Sequence, residues 1–191
     1  MDNNLIWQGV LDDPDSSYHK EKSNWQDIYD WINLLVHDEV LDVGCGLGHL
    51  THVLSTNDKV KGILGIDISD VAINEARRRH PNHYFFVEDI EVSDVLKDGY
   101  YDCVCFTQVL EHIHNDTALI EGIPEGKHVF ISVPKETPRE HESHVNFFPT
   151  IDELRLRYEP FIDIHYIGEV GEYRFLCLYG TRINKEINNE A

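Results

Sequence analysis

Leu41-Asp42-Val43-Gly44-Cys45-Gly46-Leu47-Gly48-His49-Leu50 is the stretch on which the fold turns. Val40, Leu41 and Val43 make a short apolar run with β-branched residues, which suits a buried parallel strand. Glycines follow at Gly44, Gly46 and Gly48. Such residues serve where a chain turns sharply, takes φ > 0 or lets a ligand touch the main chain. From His49 to Leu54 the sequence reads as the opening of a helix, whose first N–H groups lack intrahelical partners and face the same loop. Strand, glycine loop and helix in this order read as a nucleotide-cofactor loop. The spacing is G-x-G-x-G, and His49 stands where the dinucleotide fingerprint G-x-G-x-x-G needs its third glycine.

The downstream segments narrow the cofactor. GILGIDIS, residues 62–69, is a second apolar strand ending in Asp67. A carboxylate about 20 residues past a glycine loop is the usual device for gripping a ribose diol. YFFVEDI, residues 84–90, is a third strand ending in Glu88-Asp89, and YDCVCFTQVLEHI, residues 101–113, is a fourth that runs into a loop. HVFISVP, residues 128–134, is a fifth. Taken together, residues 39–134 resemble the core of a class I S-adenosylmethionine-dependent methyltransferase. The resemblance implies S-adenosylmethionine rather than a nicotinamide dinucleotide as cofactor. It places Gly44, Cys45, Gly46 and Gly48 against the methionine and ribose, with Asp67 accepting both ribose hydroxyls and Ile68 beside it. Asp89 then accepts from the adenine amino group, flanked by Glu88 and the Ile90 backbone. Asp42 lies under the loop and orients the methionine ammonium, while Thr107 and Gln108 touch the methionine moiety.

The rhythm of strand and helix predicts a single doubly wound α/β domain. Its seven-stranded sheet is mostly parallel, with helices on both faces and the last strand antiparallel. Residues 1–36 form a lid segment and a helix, residues 37–183 the core, and residues 184–191 a frayed tail. In the helix, from about Glu21 to Val36, Trp25, Ile28, Trp31, Ile32 and Leu35 recur at helical spacing and cover the sheet. The segment before it, with Trp7, Tyr18 and His19, is a candidate lid. Ser69 caps a helix that ends before Pro81, with Arg77-Arg78-Arg79 as its solvated basic end. Thr150 with Glu153 is a capping-box pattern. Strands at Phe161–Ile167 and Tyr173–Tyr179 are joined by a turn over Gly168 to Gly171.

Composition bounds the partners. A chain of 191 residues with 41% hydrophobic residues can bury one sizeable core. No stretch approaches the roughly 20 apolar residues of a membrane span. The acidic start MDNNLIWQGVLDDPD lacks a signal peptide's basic and apolar regions, so the expected location is cytoplasmic. Cys45, Cys103, Cys105 and Cys177 contain no C-x-x-C pair and read as buried free thiols. A formal net charge of -19 repels polyanions and argues against a nucleic-acid substrate. Thr107-Gln108-Val109-Leu110 stands where DNA-amino methyltransferases carry a D/N-P-P-Y/F motif, which argues against base methylation. The expected partner is a small-molecule acceptor, with the chain a monomer or homodimer.

Histidines mark the acceptor end. Glu111, His112 and His114 follow the fourth strand, and His141 and His144 follow the fifth. An imidazole there can take a proton from an acceptor hydroxyl as the methyl arrives. His144 and His112 are the preferred pair, with His141 and Glu111 as further catalytic candidates. Gln108-x-x-Glu111-His112 with His141-x-x-His144 is also similar to the metal site of small-RNA 3′-terminal 2′-O-methyltransferases. That family presents a carboxylate where Gln108 stands, and a neutral amide is a poor ligand for a hard dication. The expectation is therefore no metal. A third reading is a cofactor-binding subunit that supports a partner without turnover.

Overall fold

The computed structural model describes residues 2–13, 22–137, 143–171 and 174–184. The candidates Tyr18, His19 and His141 lie outside the described residues. The chain opens with α1 (Asn3–Asp12) and α2 (Lys22–Leu35), then β1 (Asp38–Val43), α3 (His49–Leu54) and β2 (Val60–Asp67). Next come α4 (Asp70–Arg79), β3 (Tyr84–Val87), a one-turn α5 (Val95–Asp98) and β4 (Cys103–Thr107). A 3₁₀ turn (Leu110–His112), α6 (Asp116–Gly122), β5 (His128–Pro134), α7 (Ile151–Tyr158), β6 (Ile162–Val170) and β7 (Phe175–Arg182) complete it. The strands form one seven-stranded sheet in the order β3-β2-β1-β4-β5-β7-β6. The pairs from β3 to β5 are parallel, and β7 is antiparallel to both neighbours.

Alternation along the central strands divides the core into two layers, because successive side chains point to opposite faces. Val40 of β1 with Cys103 and Cys105 of β4 packs against Ile28, Ile32 and Val36 from α2 and the residue after it. Leu41, Val43, Val104 and Phe106 face the other way, toward Ile120, Leu154 and Tyr158. Each fully buried Phe or Ile of this kind stabilises the fold by about 1.5–3 kcal/mol. All four cysteines are free and buried, as the spacing predicts. Asp42 falls on the α2 side with Val40, buried among apolar residues, and this position gives it a special chemistry.

The helix ends follow the sequence closely. Ser69 Oγ accepts from Ala72 N, and Thr150 and Glu153 form the full reciprocal capping box. The basic end of α4 is tied down: Arg77 donates to the Phe85 carbonyl, while Arg78 and Arg79 pair with Glu75. Two elements differ from expectation. Asn3–Asp12 is a helix capped by Asp2, where the sequence reads only as a lid segment. The closing hairpin turns later than Gly168: β6 continues to Val170, with Gly168 paired to Cys177 and the turn beginning at Gly171, φ +68°. Pairing with β7 is stronger than the local turn signal of one glycine.

Candidate cofactor and acceptor site

The sheet order reverses direction between β1 and β4, and ligands of open α/β sheets bind outside the carboxyl ends of the strands at such a point. The glycine loop closes one side of this crevice. Gly44, Gly46 and Gly48 have φ of +68°, +51° and +78°, the left-handed region that other residues rarely enter. A Cβ on Gly44 would stand 2.3 Å from Val109 Cγ2, and one on Gly48 2.6 Å from the Phe85 ring. The glycines are thus required by backbone twist and by packing from behind.

Asp67 fastens the loop from below. Its Oδ2 accepts from Gly46 N at 3.0 Å and its Oδ1 from Ser69 N at 2.9 Å. Burial raises its pKa, and the two N–H groups oppose the rise. Asp42 is buried beneath the loop and accepts from Thr51 Oγ at 2.6 Å. Burial pushes its pKa up to about 7, against the Thr51 hydrogen bond and with help from the Asp67 charge. A cationic group arriving there would relieve both effects.

A cavity at this point is lined by Asp42, Gly44, Cys45 and Gly46 on one side and by Thr107 and Gln108 on the other. Trp7 of α1, Trp25 and Tyr29 of α2, and Leu50 of α3 complete the lining. Gln108 has φ +57° and donates its amide to Ser132 Oγ at 3.2 Å, so it serves the wall. Thr107 Oγ1 is buried with no hydrogen-bond partner among the described residues, a hydroxyl suited to a ligand's polar atom. The remaining predicted cofactor residues lie along the neighbouring strand ends, outside this lining. Ile68 is half exposed; Glu88 N donates to the Asp67 carbonyl; Asp89 Oδ1 accepts from Glu91 N; Ile90 is buried. Carboxylate, glycine donors, unpartnered hydroxyl and aromatic wall fit a cofactor carrying an ammonium and a ribose.

The acceptor-side histidines meet. The rings of His112 and His144 lie edge to face with centroids 4.6 Å apart. His144 Nδ1 contacts Glu136 Oε1, a carboxylate that is almost wholly buried. His112 Nδ1 faces the Ser143 carbonyl at 3.1 Å. Carboxylate and carbonyl only accept, so each Nδ1 carries the hydrogen of its contact, and His112 Nε2 lies 4.0 Å from Glu111 Oε1. Glu111 Oε2 is buried with no hydrogen-bond partner among the described residues. Burial, reinforced by Glu136, raises the Glu111 pKa to about 8, against a backbone hydrogen bond. Glu111, His112 and His144 each offer a ligand atom within 4.8 Å of the other two, a set able to hold a metal ion.

Several of these roles escape a reading of the sequence. Glu136 is one acid in a charged loop, and only the fold brings it to His144. Asn146 clamps the two acceptor loops: its amide donates to the Leu110 and Ile113 carbonyls, while Val145 N and Asn146 N donate to the Glu111 carbonyl. Arg157 holds the Asn146 oxygen at 2.8 Å and forks onto buried Asp116 with two 2.6 Å bonds. Trp25 and Tyr29 share the apolar periodicity of α2 with true core residues. Their place in its first half, lining the cavity together with the glycine loop, makes them cavity wall.

Comparison with known proteins agrees with this architecture. A family model described as a methyltransferase domain matches residues 17–181. Trans-aconitate 2-methyltransferase of Afipia carboxidovorans is 29% identical over 111 residues, 57% of this chain and 43% of that one. The enzyme of the same name from Rhizobium rhizogenes is 24% identical over 177 residues, 87% of this chain and 69% of the relative. The chain thus spans less than half of the first relative's length. A solved S-adenosylmethionine-dependent methyltransferase from Aquifex aeolicus superposes with TM-score 0.71 at 18% identity, covering 96% of this chain and all of that one. With a family match over most of its length, this chain belongs to the methyltransferase-domain family of class I S-adenosylmethionine-dependent enzymes.

Proposed function

We propose that this protein methylates an oxygen nucleophile on a small-molecule acceptor, with His144 as general base. The observation that carries the reading is the contact of His144 Nδ1 with the buried Glu136 carboxylate. A carboxylate at Nδ1 fixes the imidazole tautomer and stabilises the imidazolium once Nε2 has taken the acceptor's proton. When bound, S-adenosylmethionine supplies an electrophilic methyl on a sulfonium. The protein's part is to align the in-line displacement and exclude water. On this reading Asp42 meets the methionine ammonium, Asp67 the ribose and Asp89 the adenine. Trp7, Trp25 and Tyr29 close the cavity over the reacting atoms.

The acceptor proposed is a natural-product or saccharide hydroxyl. Trans-aconitate, for which two relatives are named, is not carried over to a chain that spans less than half of the first relative's length. The cluster of Glu111, His112 and His144 favours a second reading, in which a divalent ion holds the acceptor's hydroxyls. Activity abolished by a chelator and restored by added metal would select it.

The first test is calorimetric titration of S-adenosylmethionine into the wild type and Asp67→Ala. Micromolar binding that collapses in the variant supports the cofactor site as drawn. Equal binding by both proteins overturns the role of Asp67. With binding in hand, a panel of hydroxylated acceptors assayed with His144→Ala tests the base.

A further inference from the structure

We propose that His52, His80 and His83 form a binding site for one zinc-class divalent ion, apart from the groups assigned to methyl transfer. The three imidazoles come from two elements that the sheet brings together. Pro81 stops α4, and the turn His80-Pro81-Asn82-His83 closes with His83 N donating to the His80 carbonyl at 3.1 Å. That turn leaves the rings of His80 and His83 on one side, 6.0 Å apart and 25° from parallel. His52, on α3, approaches them from across the layer, its ring centroid 4.6 Å from that of His80.

The spacing is that of a chelate. Each of the three residues offers a ring nitrogen within 4.8 Å of the other two. His52 Nδ1 and His83 Nε2 are 3.1 Å apart. Two nitrogens bound to one tetrahedral zinc at about 2.0–2.1 Å stand roughly 3.3 Å from each other. The pair already stands near that separation, and an ion, once the rings turn their nitrogens toward it, would replace the contacts that His52 Nδ1 and Ser55 Oγ now make with His83 Nε2. His52 is exposed, so its ring can adjust to complete the geometry, with water in a fourth position. An all-imidazole donor set selects zinc, nickel or copper over magnesium or calcium.

Such an ion would pin α3, six residues long, to the α4–β3 turn. A helix that short gains little from its own hydrogen bonds. The site also backs onto the glycine loop, since a Cβ at Gly48 would stand 3.2 Å from His80 Cδ2. Zinc binding is accordingly expected to raise the melting temperature and to be independent of the acceptor histidines.

The test is titration of zinc chloride alone into tag-free, metal-stripped full-length protein, with His52→Ala, His83→Ala and His112→Ala in parallel. Far-UV circular dichroism establishes that each variant is folded. One saturable equivalent in the wild type and His112→Ala, weakened at least about tenfold in both His52→Ala and His83→Ala, is the expected result. Cobalt should give tetrahedral d–d bands that vanish in the same two variants. Wild-type isotherms in His52→Ala and His83→Ala would overturn the proposal, as would no saturable binding at millimolar zinc. Selective loss in His112→Ala would overturn it too, by placing the ion at Glu111, His112 and His144.

Discussion

Two loops one strand apart at the same sheet edge, the glycine loop after β1 and the Leu110–His112 turn after β4, are held by different means. The glycine loop is fixed by backbone: positive φ at three glycines, Val109 and Phe85 packed where side chains would be, and the Gly46 N–H on the Asp67 carboxylate. The acceptor loops are fixed mainly by side chains, beside two backbone bonds to the Glu111 carbonyl: Asn146 on two carbonyls, Arg157 on Asp116, and Glu136 on His144. A backbone-built site tolerates almost no substitution and suits one unvarying ligand. A side-chain-built site can be rewritten residue by residue, which suits an acceptor that varies among related enzymes.

The largest effect should come from breaking the first kind of support. Gly44→Ala forces a Cβ to 2.3 Å from Val109 Cγ2 at φ +68°. Strain and overpacking of this sort cost about 1–3 kcal/mol each. Urea unfolding should show the loss, and titration should show cofactor binding abolished. Wild-type binding by this variant would mean that the loop is not the cofactor's seat.

Breaking the second kind should separate chemistry from binding. Glu136→Gln and His144→Ala are expected to lower kcat by about 10²–10⁴, the usual worth of a positioned general base. Their S-adenosylmethionine Kd should stay at the wild-type value, because neither residue belongs to the described lining of the cavity. Parallel losses in Kd would erase the division between the two halves.

A smaller effect tests Asp42, the one titratable side chain in the described cavity lining whose pKa, at about 7, falls near neutrality. Its folded pKa lies above the ordinary 3.8, so the native state keeps a proton that the unfolded chain has lost. The sign follows: its contribution to stability falls as pH rises between those two values and is level above about 7. Cofactor binding runs the other way, since an ammonium needs the carboxylate. Below about pH 7, affinity should fall by up to tenfold per unit. Asp42→Asn should bind weakly with that slope removed, and a wild-type slope in the variant would assign the titration elsewhere.

What the sequence discloses tracks the same division. Glycine spacing, the carboxylate of Asp67 and the strand rhythm are local signals, set by backbone needs within a few residues. Asp42 and Thr51 are nine positions apart, close enough for the helix after the loop to join them. The acceptor half depends on pairs such as Asn146 with Leu110 and Arg157 with Asp116, 36 and 41 positions apart, whose meeting no local pattern announces. His112 and His144 were legible by residue type, while Glu136 and Asn146, which position them, were not. The late hairpin turn likewise reflects pairing rather than a local signal, since the β6–β7 register runs through Gly168 to Val170 opposite Phe175 and outweighs one glycine.

The smallest expected effect concerns α1, which belongs to neither kind of support. None of its residues is buried, yet Trp7 lines the cavity and Asn4 Oδ1 accepts the Ser69 hydroxyl at 2.8 Å. Ser69 also donates its N–H to Asp67, so this one residue joins α1 to the carboxylate proposed to hold the ribose. A neutral hydrogen bond of this type is worth about 0.5–1.5 kcal/mol. Asn4→Ala should therefore weaken cofactor binding by a few fold, with little change in melting temperature because the helix carries no core. Trp7→Ala should add to the loss by opening the wall. If both variants bind like the wild type, α1 rests on the surface without closing the site, and the aromatic wall is supplied by Trp25 and Tyr29 of α2 alone.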